Sequence, residues 1–340
     1  MSDKLKHTIS AASKVFILTD ENVAPFWLPE VEYGFGCENA VAIVIKSGEQ
    51  HKNLQTVQQI WETLMKHHAD RNALLVNLGG GVITDLGGFA ASTFKRGIPY
   101  INIPTTLLSM VDASVGGKTG INFNGLKNEI GVFRTPETVI IDTEFLRTLD
   151  HENVCSGYAE MLKHGLISSR STLHSSLSTL LAFNLDDVDY RMLGEMVGES
   201  VAVKEQIVTE DPLEHGIRKA LNLGHTVGHA FESWALTRKP VLHGYAVAWG
   251  LICELYLSVI KTGFPTDTMR QVVRFIKENY GTLPITCDDY PELYELMTHD
   301  KKNADGIINF TLLGGIGDIR INQTATQEEI YETLDFFREG

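Results

Sequence analysis

The chain has 340 residues, of which 43% are hydrophobic and 21% are charged, so it has enough apolar residues for the cores of two domains. Its formal net charge of −14 argues against nucleic acid as a partner, because a phosphate backbone requires a basic protein surface. An anionic small molecule would therefore need a local cationic pocket.

The first half of the chain alternates short strand-like runs with helical patterns. Leu54, Val57, Trp61, Leu64 and Met65 mark one face of a predicted helix. Polar or glycine-rich turns follow the apolar runs, as is typical of buried strands. The predicted strands are 14–18, 41–45, 73–78, 100–103 and 138–141. This alternation predicts an α/β fold with a mostly parallel sheet and helices on both faces.

The pattern changes after about residue 144, where long helical periodicities take over. Two late runs, 307–313 and 318–321, flank a glycine-rich turn and predict a single hairpin. We therefore divide the chain into an α/β domain, 1–150, and a mostly α-helical domain, 151–340. No internal repeat or low-complexity tract is evident in the sequence.

A glycine-rich turn, 79–88, follows the third predicted strand. Glycines between a strand and a helix let the backbone approach a pyrophosphate, and the helix N-terminus offers N–H groups to it. The turn is not a strict Gly-x-Gly-x-x-Gly, so an ordinary turn is the alternative. Asp20 follows the first predicted strand and can accept hydrogen bonds from ribose hydroxyls, although a turn or helix cap is its commoner role. The polar segment 47–52 follows the second strand.

The densest polar segment connects the two halves. Residues 116–119 resemble a P-loop, but Asp112 stands where that motif requires its first glycine, which disfavours an NTPase. Lys118, Lys127 and Arg96 lie close in sequence to several hydroxyl groups. Such a group of cations and hydroxyls favours a phosphate or carboxylate ligand over a simple solvated surface.

Three histidines and a glutamate in the second half are candidate metal ligands. His225 and His229 are four residues apart and share one helix face, and His243 follows in the next helical segment. Glu160 and Lys163 are three apart on an earlier predicted helix, so a carboxylate lies beside a cation. Two histidines and one glutamate hold catalytic zinc while leaving positions open. The spacing leaves both His225 and His229 as possible ligands, and ordinary helix histidines are the alternative.

The ends of the chain and its cysteines bear on the cellular compartment. Residues 1–14 are polar, without the apolar core of a signal peptide, and no run reaches about 18 apolar residues. The four cysteines lack Cys-x-x-Cys spacing, which favours free thiols over disulfides or a thiolate metal site. The sequence therefore predicts a cytoplasmic protein that does not span a membrane.

Taken in order, these motifs resemble the 3-dehydroquinate synthase family of sugar phosphate cyclases. The resemblance extends from about residue 20 to residue 302 and rests on the segments 79–85, 96–97, 104–106, 111–119, 127–128, 159–163, 222–229, 243–244 and 300–302. It implies an N-terminal Rossmann-like NAD-binding domain followed by a mostly α-helical metal-binding domain. It also implies a homodimer.

The resemblance assigns roles to individual residues. The implied ligands of zinc, or of cobalt in its place, are Glu160, His225 and His243, while His229 would contact the substrate phosphate region and assist catalysis. The implied substrate and catalytic residues are Arg96 from the partner subunit, Asp112, Lys118, Asn128, Lys163, Lys204, Arg218, Asn222 and Lys301. The implied NAD contacts are Asp20, Gly48, Glu49, Lys52, Gly81, Val82, Asp85, Thr105, Thr106, Lys118, Lys127, Phe145 and Thr148.

The implied reaction belongs to the shikimate pathway of aromatic amino acid biosynthesis. A heptulosonate phosphate, 3-deoxy-D-arabino-heptulosonate 7-phosphate, gives 3-dehydroquinate and phosphate while NAD is reduced and reoxidised within one turnover. Retention of Lys204, Arg218 and Asn222 favours a substrate with a carboxylate. The alternatives are another sugar phosphate cyclase and a metal-dependent polyol or glycerol phosphate dehydrogenase, which would consume NAD stoichiometrically.

Overall fold

The structure is a computed structural model, and it describes residues 3–168, 176–298 and 307–339. The chain divides into two compact units, Met1–Leu149 and Asp150–Gly340, which we call the first unit and the second unit. The strands of the first unit are β1 (Val15–Asp20), β2 (Val41–Ile45), β3 (Leu74–Gly79), β4 (Tyr100–Pro104), β5 (Lys118–Phe123), β6 (Leu126–Phe133) and β7 (Thr138–Val139). Its longer helices are α1 (Asp3–Ala11), α2 (Ala24–Phe35), α3 (Leu54–Lys66) and α4 (Gly81–Thr93).

Five strands of the first unit form a parallel sheet in the order β2-β1-β3-β4-β7. Strands β3 and β4 are buried along their whole length, as expected for the centre of a parallel sheet covered by helices. The carboxyl ends of parallel strands lie at one edge of a sheet, so the turns after β1, β3 and β4 share that edge. The predicted α/β class is confirmed, although β7 ends at Val139 rather than at residue 141.

The predicted face of α3 was partly wrong. Val57, Ile60 and Leu64 are fully buried, whereas Leu54 and Met65 are 47% and 65% exposed. Residues 57, 60 and 64 follow the spacing of three and four that keeps side chains on one side of a helix. At 100° per residue, Leu54 and Met65 lie about 60–100° around the helix from Val57 and Leu64, at the edge of the buried face.

Strands β5 and β6 form an antiparallel hairpin that the sequence analysis did not predict. Asn124 and Gly125 occupy the two turn positions with φ values of +49° and +82°. Positive φ at both central residues is the type I′ turn, for which Asn-Gly is a strong sequence signal. The Asn-Gly dipeptide between two strand-forming segments is a local signal that the sequence contains.

The second unit is mainly helical. Its described α-helices are α5 (His151–Ile167), α6 (Leu177–Ala182), α7 (Tyr190–Glu210), α8 (His225–Leu236), α9 (His243–Thr262), α10 (Thr266–Tyr280), α11 (Tyr290–Thr298) and α12 (Gln327–Glu339). The predicted late hairpin is present as β8 (Asn309–Gly315) and β9 (Asp318–Thr324).

Helix α9 is the centre of the second unit and packs against α5, α8, α10, α12 and β8. Among the described residues it alone is long and apolar enough to cross a membrane, and 72% of its most apolar stretch is buried within the protein. Central helices of large cores pass the same test, so this is weak evidence for a membrane span.

Candidate active site

The turn after β1 contains Asp20, one of the predicted NAD contacts. Its Oδ1 accepts hydrogen bonds from the backbone N–H groups of Asn22 and Val23, at 2.9 and 3.0 Å. This is the turn role that the sequence left open as the alternative, because an aspartate can bond to the backbone two residues further on. A contact of Asp20 with a ribose therefore stays a prediction.

The turn after β3 has the geometry of an anion-binding helix start. Helix α4 begins at Gly81, separated from the end of β3 at Gly79 only by Gly80, and no side chain caps it. A Cβ on Gly80 would lie only 3.0 Å from Cγ2 of Thr106, so the turn accommodates no larger residue there without displacing Thr106. The first backbone N–H groups of a helix have no intrahelical acceptor. The bare backbone of this turn, with Gly81 and Val82 in the first helical turn, fits a pyrophosphate.

The buried Lys52 forms hydrogen bonds with other residues that were predicted to contact NAD or substrate. Lys52 is 4% exposed, and its Nζ lies 2.6 Å from Oδ2 of Asp85 and 2.5 Å from Oδ1 of Asn128. Burial alone lowers the pKa of Lys52, but the nearby carboxylates of Asp85 and Glu49 outweigh burial and raise it. Glu49 itself accepts a hydrogen bond from Nδ2 of Asn122 at 2.8 Å. The structure thus brings together Glu49, Lys52, Asp85 and Asn128.

The turn after β4 and a short helix near residue 145 contain further predicted NAD contacts. Thr105 is buried, and its N–H donates to the carbonyl of Gly79 at 3.0 Å, which ties the ends of β3 and β4 together. Thr148 accepts a hydrogen bond from Nε1 of Trp27 at 2.8 Å, and Phe145 packs edge-on against the Trp27 ring at 4.8 Å. Trp27 was not among the predicted residues.

The remaining predicted residues of the first unit lie on short or exposed elements. Asp112 is half-buried in a single π-helical turn, Lys118 is exposed at the start of β5, and Lys127 is half-buried on β6. Arg96 is exposed and has φ +67°, directly after Lys95 with φ +49°. Two successive non-glycine residues in the left-handed region are strained, because Cβ crowds the backbone there.

In the second unit, the three implied metal ligands converge on one point. Glu160 of α5 is completely buried, and its Oε1 receives no hydrogen bond from any described residue. That oxygen lies 3.4 Å from Nε2 of His225 at the start of α8 and 3.6 Å from Nε2 of His243 at the start of α9. The potential ligand atoms of the three residues all lie within 4.8 Å of one another.

These separations fit a small divalent ion. Tetrahedral ligands at about 2.0–2.2 Å from zinc lie about 3.3–3.6 Å from one another. The two Glu160–histidine distances, 3.4 and 3.6 Å, fall in that range. A buried carboxylate oxygen without a hydrogen bond is costly unless a cation satisfies it. The donor set and its geometry therefore fit a divalent metal.

A buried lysine stabilises the charged form of the carboxylate. Lys163 is 1% exposed, and its Nζ donates to Oε2 of Glu160, one helical turn away. Burial raises the pKa of Glu160, but the charges of Lys163 and His225 outweigh burial and hold that pKa well below its usual range. Glu160 is thus ionised at neutral pH and leaves Oε1 directed toward the histidines.

Both histidines at the cluster are held through their other ring nitrogen. Nδ1 of His225 lies 3.1 Å from the carbonyl oxygen of Leu223, and Nδ1 of His243 lies 3.3 Å from Oε2 of Glu232. Burial alone would lower the pKa of His243, but Glu232 and Glu160 raise it to about 10. Metal-binding histidines are commonly oriented in this way by a carboxylate or a carbonyl. Sequence reasoning missed Glu232, although it follows His225 by seven residues and so shares its helix face.

His229 lies next to the two histidines, but it is not in the possible metal-ligand group that contains Glu160. Its ring centre lies 5.3 Å from that of His225 and 5.9 Å from that of His243. The described residues give a second possible ligand group, consisting of His229, Glu232 and His243. The first group contains the fully buried carboxylate, which favours it over the second as the main ion position.

Glycines permit the close helix packing that brings the ligands together. A Cβ on Gly250 of α9 would clash with the carbonyl oxygen of Gly224, just before α8. A Cβ on Gly244 would clash with the carbonyl oxygen of Ser156 on α5, and the Gly244 N–H donates to Oγ of Ser156 at 3.1 Å. Backbone contact at these points sets the short distances between α5, α8 and α9 on which the cluster depends.

Two predicted substrate-binding cations are buried in the second unit. Lys204 on α7 is 6% exposed, and Arg218, in a short 3₁₀ helix, is 2% exposed. Arg218 donates from Nη1 to the carbonyl of Pro212 at 2.6 Å, and its backbone N–H donates to Oδ2 of Asp211 at 3.0 Å. Asp211 thereby fixes the loop that carries this arginine.

Of the two remaining predicted substrate residues, the structure describes Asn222 but not Lys301. Asn222 is half-buried at the end of the same 3₁₀ helix, and its Nδ2 donates to Oε1 of Glu214 at 3.2 Å. Lys301, which the resemblance assigns to the substrate, lies outside the described residues. Its role remains a prediction from sequence.

Comparison with known proteins identifies the family. The model of the 3-dehydroquinate synthase N-terminal domain matches residues 42–156, and that of the C-terminal domain matches residues 157–303. A 3-dehydroquinate synthase from Parabacteroides distasonis is 58% identical over 96% of this chain and 92% of its own length. One from Clostridium tetani is 36% identical over 97% of this chain and 87% of its own length.

Solved structures of sugar phosphate cyclases are similar to the whole chain. A 2-epi-5-epi-valiolone synthase from Streptomyces hygroscopicus subsp. jinggangensis, solved with NAD⁺ and Zn²⁺, is 26% identical with a TM-score of 0.80, over 97% of this chain and 91% of its own. A 2-deoxy-scyllo-inosose synthase, solved with NAD⁺ and Co²⁺, shares the fold with a TM-score of 0.83 at 23% identity, over 100% of this chain and 95% of its own. By its two domain models and its full-length relatives, the chain belongs to the 3-dehydroquinate synthase family.

Proposed function

We propose that the candidate residues identified within each unit carry out the reaction of this family. The chain is a lyase of aromatic biosynthesis that converts 3-deoxy-D-arabino-heptulosonate 7-phosphate to 3-dehydroquinate and phosphate, with NAD and a divalent metal as cofactors. The observation that carries the assignment of residues is the convergence of Glu160, His225 and His243 beside the buried ammonium of Lys163.

Glu160, His225 and His243 would hold the metal, and the turn at Gly81 would hold the NAD pyrophosphate. Bound there, the metal supplies a Lewis acid for a substrate hydroxyl and NAD supplies a hydride acceptor that is regenerated within the turnover. Lys163 keeps Glu160 ionised and so preserves the ligand in its charged form.

The buried cations suit the two anionic groups of the substrate. Lys204 and Arg218 are nearly inaccessible to water, so a carboxylate or phosphate beside them would form strong charge-assisted hydrogen bonds. His229 is half-buried next to the ligand histidines, which suits a group that holds or moves a proton near the departing phosphate. In a chain of net charge −14, these cations provide the local pocket that an anionic substrate requires.

Several finer features belong to the same proposal. We infer zinc as the native ion, with cobalt as a competent substitute, because nitrogen and carboxylate ligands suit both metals. We further infer a cytoplasmic homodimer in which Arg96, exposed and held in a left-handed conformation, contacts the substrate of the partner subunit. The substrate is a small sugar phosphate, and neither nucleic acid nor a membrane is expected as a partner.

The direct test supplies the zinc-loaded protein with a small amount of NAD and with 3-deoxy-D-arabino-heptulosonate 7-phosphate. Released phosphate, 3-dehydroquinate and NADH are then followed together. We expect many phosphates per NAD, equal formation of 3-dehydroquinate and no accumulation of NADH. Absence of phosphate release, with NADH accumulating from a polyol, would instead indicate the dehydrogenase alternative.

The likeness to two other cyclases makes a second substrate worth testing. Sedoheptulose 7-phosphate and glucose 6-phosphate lack the carboxylate for which Lys204 and Arg218 are proposed. We expect phosphate release from them to be at least about 10⁴-fold slower, because a site built to bind a polar group of its substrate rejects an analogue that lacks that group. Comparable rates would favour another sugar phosphate cyclase.

A further inference from the structure

Glu254 is a fully buried acid that none of the proposed chemical roles uses. It is 0% exposed and lies in the middle of α9, in an otherwise apolar stretch of that helix. Such a residue is expensive to bury unless hydrogen bonds or a counter-charge satisfy it. Its partners therefore indicate what it does.

Those partners are backbone N–H groups at the start of α8. Oε2 of Glu254 accepts from Gly224 at 2.6 Å, and Oε1 accepts from Thr226 at 2.9 Å and from Val227 at 3.2 Å. The first N–H groups of a helix lack intrahelical acceptors, and a negative charge there also complements the helix dipole. Gly224 has φ +80° and no side chain, so it provides no cap of its own. Glu254 acts as the cap of α8 from another helix.

The capped N–H groups flank the metal-ligand candidate His225 on both sides. Its Nδ1 lies 3.1 Å from the carbonyl of Leu223, so the ring follows the local backbone. Its Nε2 lies 3.4 Å from Oε1 of Glu160. Since metal–ligand distances tolerate deviations of only about 0.2 Å, a small shift of this backbone would misplace the ring.

We propose that Glu254 is a positioning residue for the metal site: its carboxylate, bonded to the N–H groups of Gly224, Thr226 and Val227, fixes the start of α8 and thereby aims His225. Glu254 belongs to none of the possible metal-ligand groups of the described residues and would act through His225. This inference rests on the proposed ligand role of His225. It predicts that Glu254 affects metal affinity more than it affects folding.

The test uses the purified full chain and Zn²⁺, with affinity measured by competition against a chromophoric chelator. Glu254→Gln keeps the shape of the side chain but turns one acceptor into an N–H₂ donor that opposes a backbone N–H. We expect its zinc Kd to rise about 10- to 100-fold, in the range found for residues that orient metal ligands. The visible absorption of the Co²⁺ form should change as well, with far-UV circular dichroism retained.

Two controls separate positioning from general stability and from ligation. Asp189→Ala removes a cap from α7, where Oδ1 accepts from Arg191 and Met192 at 3.0 Å each. It should lower the melting temperature and leave the zinc Kd unchanged. Glu160→Gln removes a ligand candidate and should abolish tight zinc binding. If Glu160→Gln bound zinc as the wild type does, the ligand assignment would fail, and with it this inference.

A zinc Kd within about twofold of the wild type in a folded Glu254→Gln protein would overturn the positioning role and leave a purely structural one. Should Glu254→Gln fail to fold, Glu254→Asp decides by the same criterion, because it keeps the charge and shortens the reach by one methylene. A weakened zinc Kd and a shifted Co²⁺ spectrum in that variant support the proposal, and wild-type values contradict it.

Discussion

In the first unit several candidate site residues lie on turns at the carboxyl ends of parallel strands, whereas in the second unit the candidate metal ligands project from helices into a buried cluster. The first arrangement presents mainly backbone, as at Gly81, where α4 begins directly after β3. The second gathers side chains that the core would otherwise exclude: Glu160, Lys163, Lys204 and Glu254 are each at most 6% exposed.

The difference has an energetic meaning. Backbone N–H groups at a helix start are available in any sequence that folds into the same turn, so single side chains matter less there. Buried charges are stable only when their partners are present, and loss of one partner leaves the other uncompensated. The buried cluster of the second unit should therefore be more sensitive to single substitutions than the backbone turn at Gly81.

Glu160→Gln should give the largest effect and sharpen this contrast. It removes the charge from the centre of the cluster while Lys163 remains buried beside it. We expect zinc content and activity to disappear together, with stability lowered by about 3 kcal/mol because a buried ammonium loses its partner. Metal analysis of the purified protein checks this, and zinc retained at full occupancy would contradict the ligand assignment.

His229→Ala tests how far the buried cluster extends. If His229 is a catalytic group and not a ligand, zinc content should stay at the wild-type value while kcat falls about 100-fold, as for loss of a general acid or base. Steady-state kinetics and metal analysis on the same sample separate these effects. Loss of zinc would mean that His225 and His229 both coordinate, which is the possibility that the spacing alone left open.

Lys52→Met asks whether the first unit also depends on a buried charge. The change leaves Asp85 without its 2.6 Å partner, and Asp85 retains 18% exposure of its side chain. We expect a loss of up to about 3 kcal/mol in unfolding free energy together with weaker NAD binding. Zinc affinity should not change, which urea unfolding and chelator competition would show. A change in zinc affinity would contradict the expectation that the Lys52–Asp85 ion pair and the metal cluster act independently.

Gly250→Ala tests the helix packing beneath the cluster. The added Cβ would meet the carbonyl oxygen of Gly224, and backbone cannot yield as a side chain can, so we expect a loss of about 1–3 kcal/mol and weaker zinc binding. Gly198→Ala is the matched control, because its Cβ on α7 would meet no atom within 4 Å. It should stabilise the protein by up to about 1 kcal/mol, as for glycine replaced in a helix. Equal effects of the two changes would contradict the packing argument.

A pH dependence of stability should arise at His243 in the second unit. The pKa of His243 is raised to about 10 in the folded protein, against burial, by Glu232 and Glu160. A group with a raised folded pKa contributes its full stability below the unfolded value, about 6.5, and loses it as the pH rises toward 10. Metal-free protein should therefore lose stability across that window in urea unfolding. His243→Gln should flatten the slope, and an unchanged slope would assign it to another group.

Much of the first unit could be predicted from local sequence. Strand β2 occupies the predicted residues 41–45, and β1, β3 and β4 begin and end within two residues of prediction. Parallel strands are continuous apolar runs, and their carboxyl ends share an edge, so the turns at Asp20 and Gly79 could be grouped without a structure. The β5–β6 hairpin was missed even though its Asn-Gly turn is a local signal.

In the second unit the sequence predicted the ligand candidates but not what surrounds them. Two histidines four apart and a Glu-x-x-Lys pair are readable because a helix repeats every 3.6 residues. Glu232 shares the helix face of His225, but its partner His243 lies on another helix, so spacing could not pair the two. Glu254 has no sequence signature, because it is a single acid on α9 and its partners lie at the start of α8.

The sequence by itself determined the α/β and helical character of the two halves, the strand-end turns and the candidate residues for a metal site, because all of these depend on short-range periodicity and residue chemistry. Only the tertiary structure decided which oxygen of Glu160 faces the histidines and which groups hold His225 and His243 in place. Those choices depend on how closely α5, α8 and α9 approach at Gly244 and Gly250. Sequence spacing fixes neighbours along one helix, whereas distances between helices are set by packing.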